Sequence, residues 1–195
     1  MSREHNTDNK NLPKLPKLTI IVTGKNQKDF DKTVKNIEAQ GYRNIDIVKN
    51  RESLPKFFNS ITKDSDYYGF IFAGDRLEKN AINLIMSKFA SSEYIGAVYS
   101  DLKVQNEDIP YQFYMPPHDQ TTFGQILGIF PFFISKSVSA IEMDENLENL
   151  YGHNLLLRAS TKYIINHIPK ALFRLKYKEV DLESDMKYIN KQSEK

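Results

Sequence analysis

The stretch that decides the fold is YYGFIFAGDRLEKNAINLIM, residues 67–86. It opens with an apolar, β-prone run typical of a strand buried on both faces, and a short polar turn containing Asp75 follows. Apolar residues then recur at helical spacing, at Ala81, Ile82, Ile85 and Phe89, which predicts an amphipathic helix. Because ligands bind at the carboxyl ends of strands in open α/β sheets, Asp75 is a candidate metal ligand. The alternative is that Asp75 caps a helix over residues 77–89, with Glu78 completing a capping box.

Strands and helices alternate on both sides of this stretch. Further strands are predicted at residues 18–24, 44–49 and 95–101, with amphipathic helices between them. Such alternation indicates parallel strands joined by right-handed crossovers. Later parts of the chain are an apolar segment, a helix and two short β-like runs, at residues 123–134, 154–163, 163–169 and 171–177. The predicted fold class is therefore α/β, an open and mostly parallel sheet flanked by helices.

The composition fits one domain with a sizeable core. The chain has 195 residues, of which 40% are hydrophobic, and it has no cysteine, which excludes disulfides and thiolate metal sites. Its formal charge is +2, from 27 basic and 25 acidic residues without a basic stripe, so we expect no nucleic-acid partner. The predicted organisation is a polar leader (1–17), one domain (18–178) and a charged tail (179–195). We divide the domain into a nucleotide-binding half (18–101) and an acceptor-side half (102–178).

Several segments, in order, resemble motifs of one enzyme family. They are LTIIVTGKN (18–26), Gln40-Gly-Tyr42-Arg-Asn44, the FAGD turn (72–75), GAVYSD (96–101), and NLLLRASTKYIINHIPKALFRLK (154–176). Together they are similar to bacterial family 2 glycosyltransferases with the GT-A fold. The resemblance covers residues 18–176.

The resemblance implies transfer of a sugar from a nucleotide-diphosphate sugar, of the UDP or GDP type, to a hydroxyl of a glycan or protein acceptor in bacterial surface polysaccharide or glycoprotein synthesis. It implies inversion at the anomeric carbon and a Mg²⁺ or Mn²⁺ ion held by Asp75. The residues that it assigns to the nucleotide sugar are Thr23, Asn26, Asn50, Asp101 and Arg174.

Three positions depart from the family pattern. Asn50 stands where an acidic residue commonly contacts the nucleotide, and a loop or capping role is its alternative. Gly152 aligns with the general base, which leaves the adjacent His153 as the candidate catalytic residue, or as a residue that simply starts a helix. Arg174 replaces a histidine near the diphosphate. It cannot bind a metal, but its guanidinium can pair with phosphate oxygens, unless it only lies on the wet face of a strand.

Two functions remain open from the sequence. The first is an active glycosyltransferase. The second is a catalytically degenerate GT-A module that binds a partner transferase or a nucleotide without turnover, with Tyr111, Phe113 and Tyr114 as candidate contacts for a partner subunit. We predict no transmembrane segment and a cytoplasmic, or membrane-peripheral, location.

Overall fold

A computed structural model describes residues 15–105, 111–115, 131–176 and 183–193. The strands are β1 (Leu18–Thr23), β2 (Ile45–Asn50), β3 (Tyr67–Phe72), β4 (Arg76–Leu77), β5 (Ile95–Gln105), β6 (Tyr111–Phe113), β7 (Phe132–Ser135) and β8 (Ile164–Lys176). The helices are α1 (Gln27–Glu38), α2 (Leu54–Ser60), α3 (Ala81–Ala90), α4 (Lys136–Ser139), α5 (Tyr151–Ala159) and α6 (Glu183–Ser193).

The strands form one sheet in the order β2-β1-β3-β7-β5-β8-β4, with β6 paired to β5. Strands β1, β2, β3, β5 and β8 run in one direction, whereas β4, β6 and β7 run against it. The sheet is therefore mixed but mostly parallel, and helices flank it, as the sequence predicts.

The first βα unit follows directly from local sequence. Strand β1 is buried almost throughout, from Leu18 to Val22. The side chain of Asn26 caps α1 by accepting the N–H of Asp29, and Phe30 and Ile37 bury its apolar face. The chain turns after the helix at Gly41, whose φ of 73° suits glycine.

The helix predicted over residues 77–89 begins instead at Ala81. Arg76 and Leu77 form a short strand that pairs with the end of β8, and Asn80 enters the helix with a left-handed φ of 63°. The capping-box interpretation is therefore wrong. The Glu78 carboxylate does not cap the helix; it binds the side chains of Arg174 and Lys103 on neighbouring strands.

Strand β8 replaces the two short runs predicted at residues 163–169 and 171–177. It lies parallel to β5 over almost its whole length, and a bulge shifts the register between Ile168 and Ala171. Strand β5 in turn continues to Gln105, beyond the predicted boundary between the two halves at residue 101. This paired ribbon runs through both halves.

The described residues near the two ends of the chain are hydrogen-bonded to the rest of the structure. The carbonyls of Leu15 and Pro16 accept hydrogen bonds from Asn44 and Tyr42, so the last leader residues contact the domain. In the predicted tail, Asp185 of α6 is 1% exposed and binds the chain just ahead of α5. Residues 1–14 and the predicted boundary at 178–179 lie outside the described residues, so the domain division stays a prediction.

The apolar segment at residues 123–134 falls partly within the described chain. Its last residues form most of β7, where Phe132, Phe133 and Ile134 are buried in the middle of the sheet. Residues 123–130 are outside the described part. Among the residues that are described, no helix combines the length and apolar character needed to cross a bilayer.

Candidate functional site at the carboxyl edge of the sheet

The ends of β1 and β2 bring two predicted nucleotide-binding residues together. Thr23 and Asn50 are register partners, and the amide of Asn50 lies 3.5 Å from the Thr23 hydroxyl. Asn50 is only 2% exposed, and its Oδ1 accepts the N–H of Glu52 at 2.9 Å. This local bond gives Asn50 the loop-shaping role that was the alternative at the sequence level, while Thr23 is half-buried at the edge.

The following loops are tied to each other beside this pair. The guanidinium of Arg51 donates to the carbonyl of Lys25 at 2.8 Å and lies 5.0 Å from the ring centre of Phe30. Asn26 follows Lys25 in this loop; its side-chain oxygen accepts the N–H of Asp29 at 3.2 Å, and the residue is exposed. The β1–α1 turn is therefore held from the β2 side, with the amino end of α1 at the carboxyl edge.

Asp75 lies in a turn that α1 clamps. The hydroxyl of Thr33 donates to the carbonyl of Asp75 at 2.8 Å and accepts the N–H of Gly74 at 2.9 Å. One helical turn later, the side-chain amide of Asn36 makes two hydrogen bonds to the main chain of Leu77: Nδ2 donates to the carbonyl and Oδ1 accepts the N–H. The Asp75 carboxylate is 2% exposed, and its Oδ1 accepts the N–H of Lys176 at 2.9 Å. Asp75 thus joins the end of β8 to the turn after β3.

The Lys176 side chain crosses the same turn. A Cβ on Gly74 would lie 2.8 Å from Lys176 Cδ, and the φ of Gly74 is 104°, so only glycine suits this position. Lys176 Nζ then pairs with Asp29 at 2.8 Å, next to Asn26. Through Asp29 and Lys176 the structure connects Asn26 to Asp75, two residues predicted for different parts of one site.

The described residues around Asp75 offer few ligands for a Mg²⁺ or Mn²⁺ ion. Both ions need several oxygen ligands around them. In the described part of the chain, no group of three or more histidine or acidic side chains is placed to hold a metal. Asp75 offers a single carboxylate, nearly buried and already bonded to a main-chain N–H. The described residues around Asp75 therefore do not fit a divalent metal by themselves, and the predicted metal stays a prediction.

Asp101 forms a buried pair with a histidine. Its Oδ1 lies 2.9 Å from His167 Nε2 and accepts the N–H of Met115 at 2.9 Å. The His167 ring stacks on Tyr99, 5.0 Å between centres, and burial raises the pKa of the Tyr99 hydroxyl. Strand β5 is three positions from β1, so Asp101 lies roughly 14 Å along the sheet from Thr23. Asp101 is thus on the sheet that carries Thr23 but does not touch it.

The amino end of α5 carries the position aligned with the general base. A Cβ on Gly152 would lie 2.5 Å from Cε1 and 3.1 Å from Cζ of Phe132. The ring of a buried phenylalanine on β7 therefore occupies the space that a side chain at residue 152 needs. The neighbouring His153 is 7% exposed, and burial lowers the pKa of its imidazole, which favours the neutral form. His153 packs as a buried helix residue.

Arg174 lies in β8, the strand next to the terminal strand β4 of the same sheet. Its guanidinium binds Glu78 at 2.9 Å, and Lys103 approaches the same carboxylate oxygen at 3.4 Å. The hydrogen bond from Arg174 is the main cause that lowers the pKa of Glu78, and burial opposes it. The Arg174 side chain is 43% exposed, so the guanidinium is both paired and accessible to solvent.

Thr33, Asn36, Lys176 and His167 were missed as site-shaping residues. Thr33 shares the buried face of α1 with Phe30 and Ile37, so its spacing was a usable signal. The other contacts join residues more than 40 positions apart, and no local pattern predicts them. Of the predicted partner contacts, Tyr111 and Phe113 lie in β6, and the side chain of Tyr114 is 76% exposed.

Comparison with known proteins supports the fold by structure alone. No protein-family model matches the sequence, and no curated protein matches it by sequence. The structure is similar to the crystal structure of S. aureus TarS, a glycosyltransferase, with a TM-score of 0.61 at 11% identity. The match covers 88% of this chain but only 38% of TarS. It confirms the predicted fold class, a mostly parallel α/β sheet of the kind that TarS contains.

Proposed function

We propose that the chain is a glycosyltransferase-type domain that binds a nucleotide-diphosphate sugar and takes part in transferring the sugar to a hydroxyl acceptor. The observation that carries the proposal is the carboxyl edge of the sheet. There the Thr23 carbonyl accepts the N–H of Ala73, Thr33 of α1 binds the carbonyl of Asp75, and Lys176 joins Asp75 to Asp29 in the first turn of α1. Ligands bind at this edge in open α/β sheets. The fold likeness to TarS supports the same assignment.

Each part of the edge suits a part of the donor. The Thr23 hydroxyl and the main chain after β1 offer hydrogen bonds to a base or ribose. The amino end of α1 carries the positive end of the helix dipole, which favours phosphate. The acceptor would be a hydroxyl of a glycan or protein, whose oxygen attacks the anomeric carbon directly with inversion while the bond to the phosphate oxygen breaks and the nucleoside diphosphate leaves.

A second candidate function is binding of a nucleotide or a partner transferase without turnover, and one contact favours it. Since Phe132 fills the space at Gly152, the position aligned with the base has neither a carboxylate nor room for one. General-base assistance is typically worth about 10²–10⁴-fold in rate. The exposed Tyr114 side chain offers a surface for the partner.

Calorimetric titration with UDP and with GDP tests the binding step. We expect one of them to bind the wild type and to bind Thr23→Val about tenfold more weakly, as loss of one hydrogen bond to a bound ligand predicts. Thr161→Val is the matched control, because Thr161 is exposed beyond the far end of α5. Absence of binding by both nucleotides, or equal affinities for the two variants, would refute the proposed site.

Turnover separates the two functions. A panel of UDP- and GDP-sugars is incubated with the protein, and release of free nucleotide is measured. Release above the background of the panel supports the transferase. Nucleotide binding without release supports the module, and tight association with a co-encoded transferase would then identify its partner.

A further inference from the structure

Three basic residues form a row across the outer strands of the sheet. Arg76 of β4 is the register partner of Arg174 in β8, and Arg174 is the register partner of Lys103 in β5. Residues paired across a sheet project from the same face. With strands about 4.8 Å apart, the three side chains start within roughly 10 Å of one another.

Within the described residues, the row carries more positive than negative charge. Among the described residues, the carboxylate that contacts the row is that of Glu78, which pairs with both Arg174 and Lys103. Three cations against one carboxylate leave a local charge of +2, equal to the formal charge of the whole chain. The side chains stay accessible, since Lys103 and Arg174 are 41% and 43% exposed and Arg76 is exposed.

The row adjoins the turn at the predicted diphosphate site. Arg76 directly follows Asp75, and Lys176, two residues after Arg174, binds Asp75 through its N–H and Asp29 through its side chain. The row therefore lies next to the turn that carries Asp75, whose carboxylate does not fit a metal by itself. A charged edge strand can also serve only to prevent pairing with other strands, but that role needs neither the alignment on β8 and β5 nor a shared carboxylate.

We propose that Arg76, Lys103 and Arg174 bind the diphosphate of the donor, so that side chains neutralise the phosphate charge and binding needs no divalent cation. The inference rests on the proposed function and adds to it the groups that receive the phosphates. Arginine pairs with two phosphate oxygens at once. Glu78 holds Arg174 and Lys103 in place in the free protein and competes with the phosphate for them.

The test is titration with inorganic pyrophosphate and with UDP and GDP, in EDTA and again with Mn²⁺. We expect pyrophosphate to bind in EDTA and to compete with the nucleotide. Arg76→Gln and Arg174→Gln should each weaken pyrophosphate binding about tenfold. Glu78→Gln should strengthen it about threefold, because it removes the competing carboxylate. Lys162→Gln is the control, since Lys162 is exposed at the opposite end of β8, far beyond the screening length of about 8 Å.

Several results would overturn the inference: no pyrophosphate binding in EDTA, affinity that appears only with Mn²⁺, simultaneous binding of pyrophosphate and nucleotide, or variants that match Lys162→Gln. Thermal melts of each variant exclude unfolding as the cause of a loss. The two proposals fail differently. Nucleotide binding that ignores the row removes this inference alone, whereas pyrophosphate binding without UDP or GDP binding removes the proposed function and leaves an anion site.

Discussion

Replacing Gly152 with alanine tests whether Phe132 fills the predicted base position. The new Cβ would lie 2.5 Å from Cε1 of the Phe132 ring, and overpacking of this kind costs about 1–3 kcal/mol. Alanine in a helix gains about 0.5–1 kcal/mol over glycine. The difference lies between about 0 and 2.5 kcal/mol, so we expect Gly152→Ala to lower the free energy of unfolding by about 1 kcal/mol.

The sign of the effect should reverse when Phe132 is leucine. Leucine lacks the ring atoms Cε1 and Cζ, which make the two shortest contacts, so only the helical gain remains. Gly152→Ala should then raise the free energy of unfolding by about 0.5–1 kcal/mol in the Phe132→Leu background. Urea unfolding of the four proteins at 25 °C, followed by circular dichroism, gives the coupling between the two sites. An equal effect of Gly152→Ala in both backgrounds, within about 0.5 kcal/mol, would refute the argument.

Three further predictions concern buried polar groups. Asp185→Asn should lower the free energy of unfolding by about 2–4 kcal/mol, because the Asp185 carboxylate accepts three main-chain N–H groups ahead of α5. The control is Glu183→Gln, an exposed position on the same helix, which should cost less than about 0.5 kcal/mol. Equal losses of stability in urea unfolding would contradict this prediction. Burial lowers the pKa of His153, so the unfolded chain binds a proton there at a higher pH than the folded chain. The free energy of unfolding should therefore fall as the pH drops below about 6.5, by at most about 1.4 kcal/mol per pH unit. Thermal melts of His153→Gln from pH 7.5 to 5.5 should lack this part of the loss. Thr33→Val removes a buried hydroxyl that makes two hydrogen bonds, so it should lower the free energy of unfolding by about 1–3 kcal/mol. Thr161→Val should lower it hardly at all. Similar melting temperatures for the two valine variants would show that the hydrogen bonds of Thr33 to the turn are unimportant.

Local patterns predicted the first half of the fold well because its signals are short-range. Strand β1, the cap at Asn26 and the apolar face of α1 all lie within about 20 residues. The error at residues 77–80 has a tertiary cause. Strand β8 pairs with Arg76 and Leu77, and Arg174 and Lys103 draw Glu78 away from the helix, so a favourable capping sequence is overridden by partners about 100 and 25 residues away.

The candidate site was harder to predict for the same reason. The position of Asp75 after a buried strand was evident from the sequence, but the N–H that binds it belongs to Lys176, 101 residues later. The departure at Gly152 was also evident, whereas its physical cause, the ring of Phe132, depends on how β7 enters the sheet between β3 and β5. Sequence patterns identified candidate positions, and long-range packing determines what surrounds them.

Nucleotide binding at the carboxyl edge is tested most sharply by following the backbone amide NMR signals of isotope-labelled protein during titration with UDP and with GDP. We expect one nucleotide to shift the signals of residues 23–26, 50–52 and 73–76, which lie at the carboxyl edge of the sheet. Shifts confined to the opposite edge, around the exposed Tyr94 and Ile164, or no shifts with either nucleotide at millimolar concentration, would contradict it.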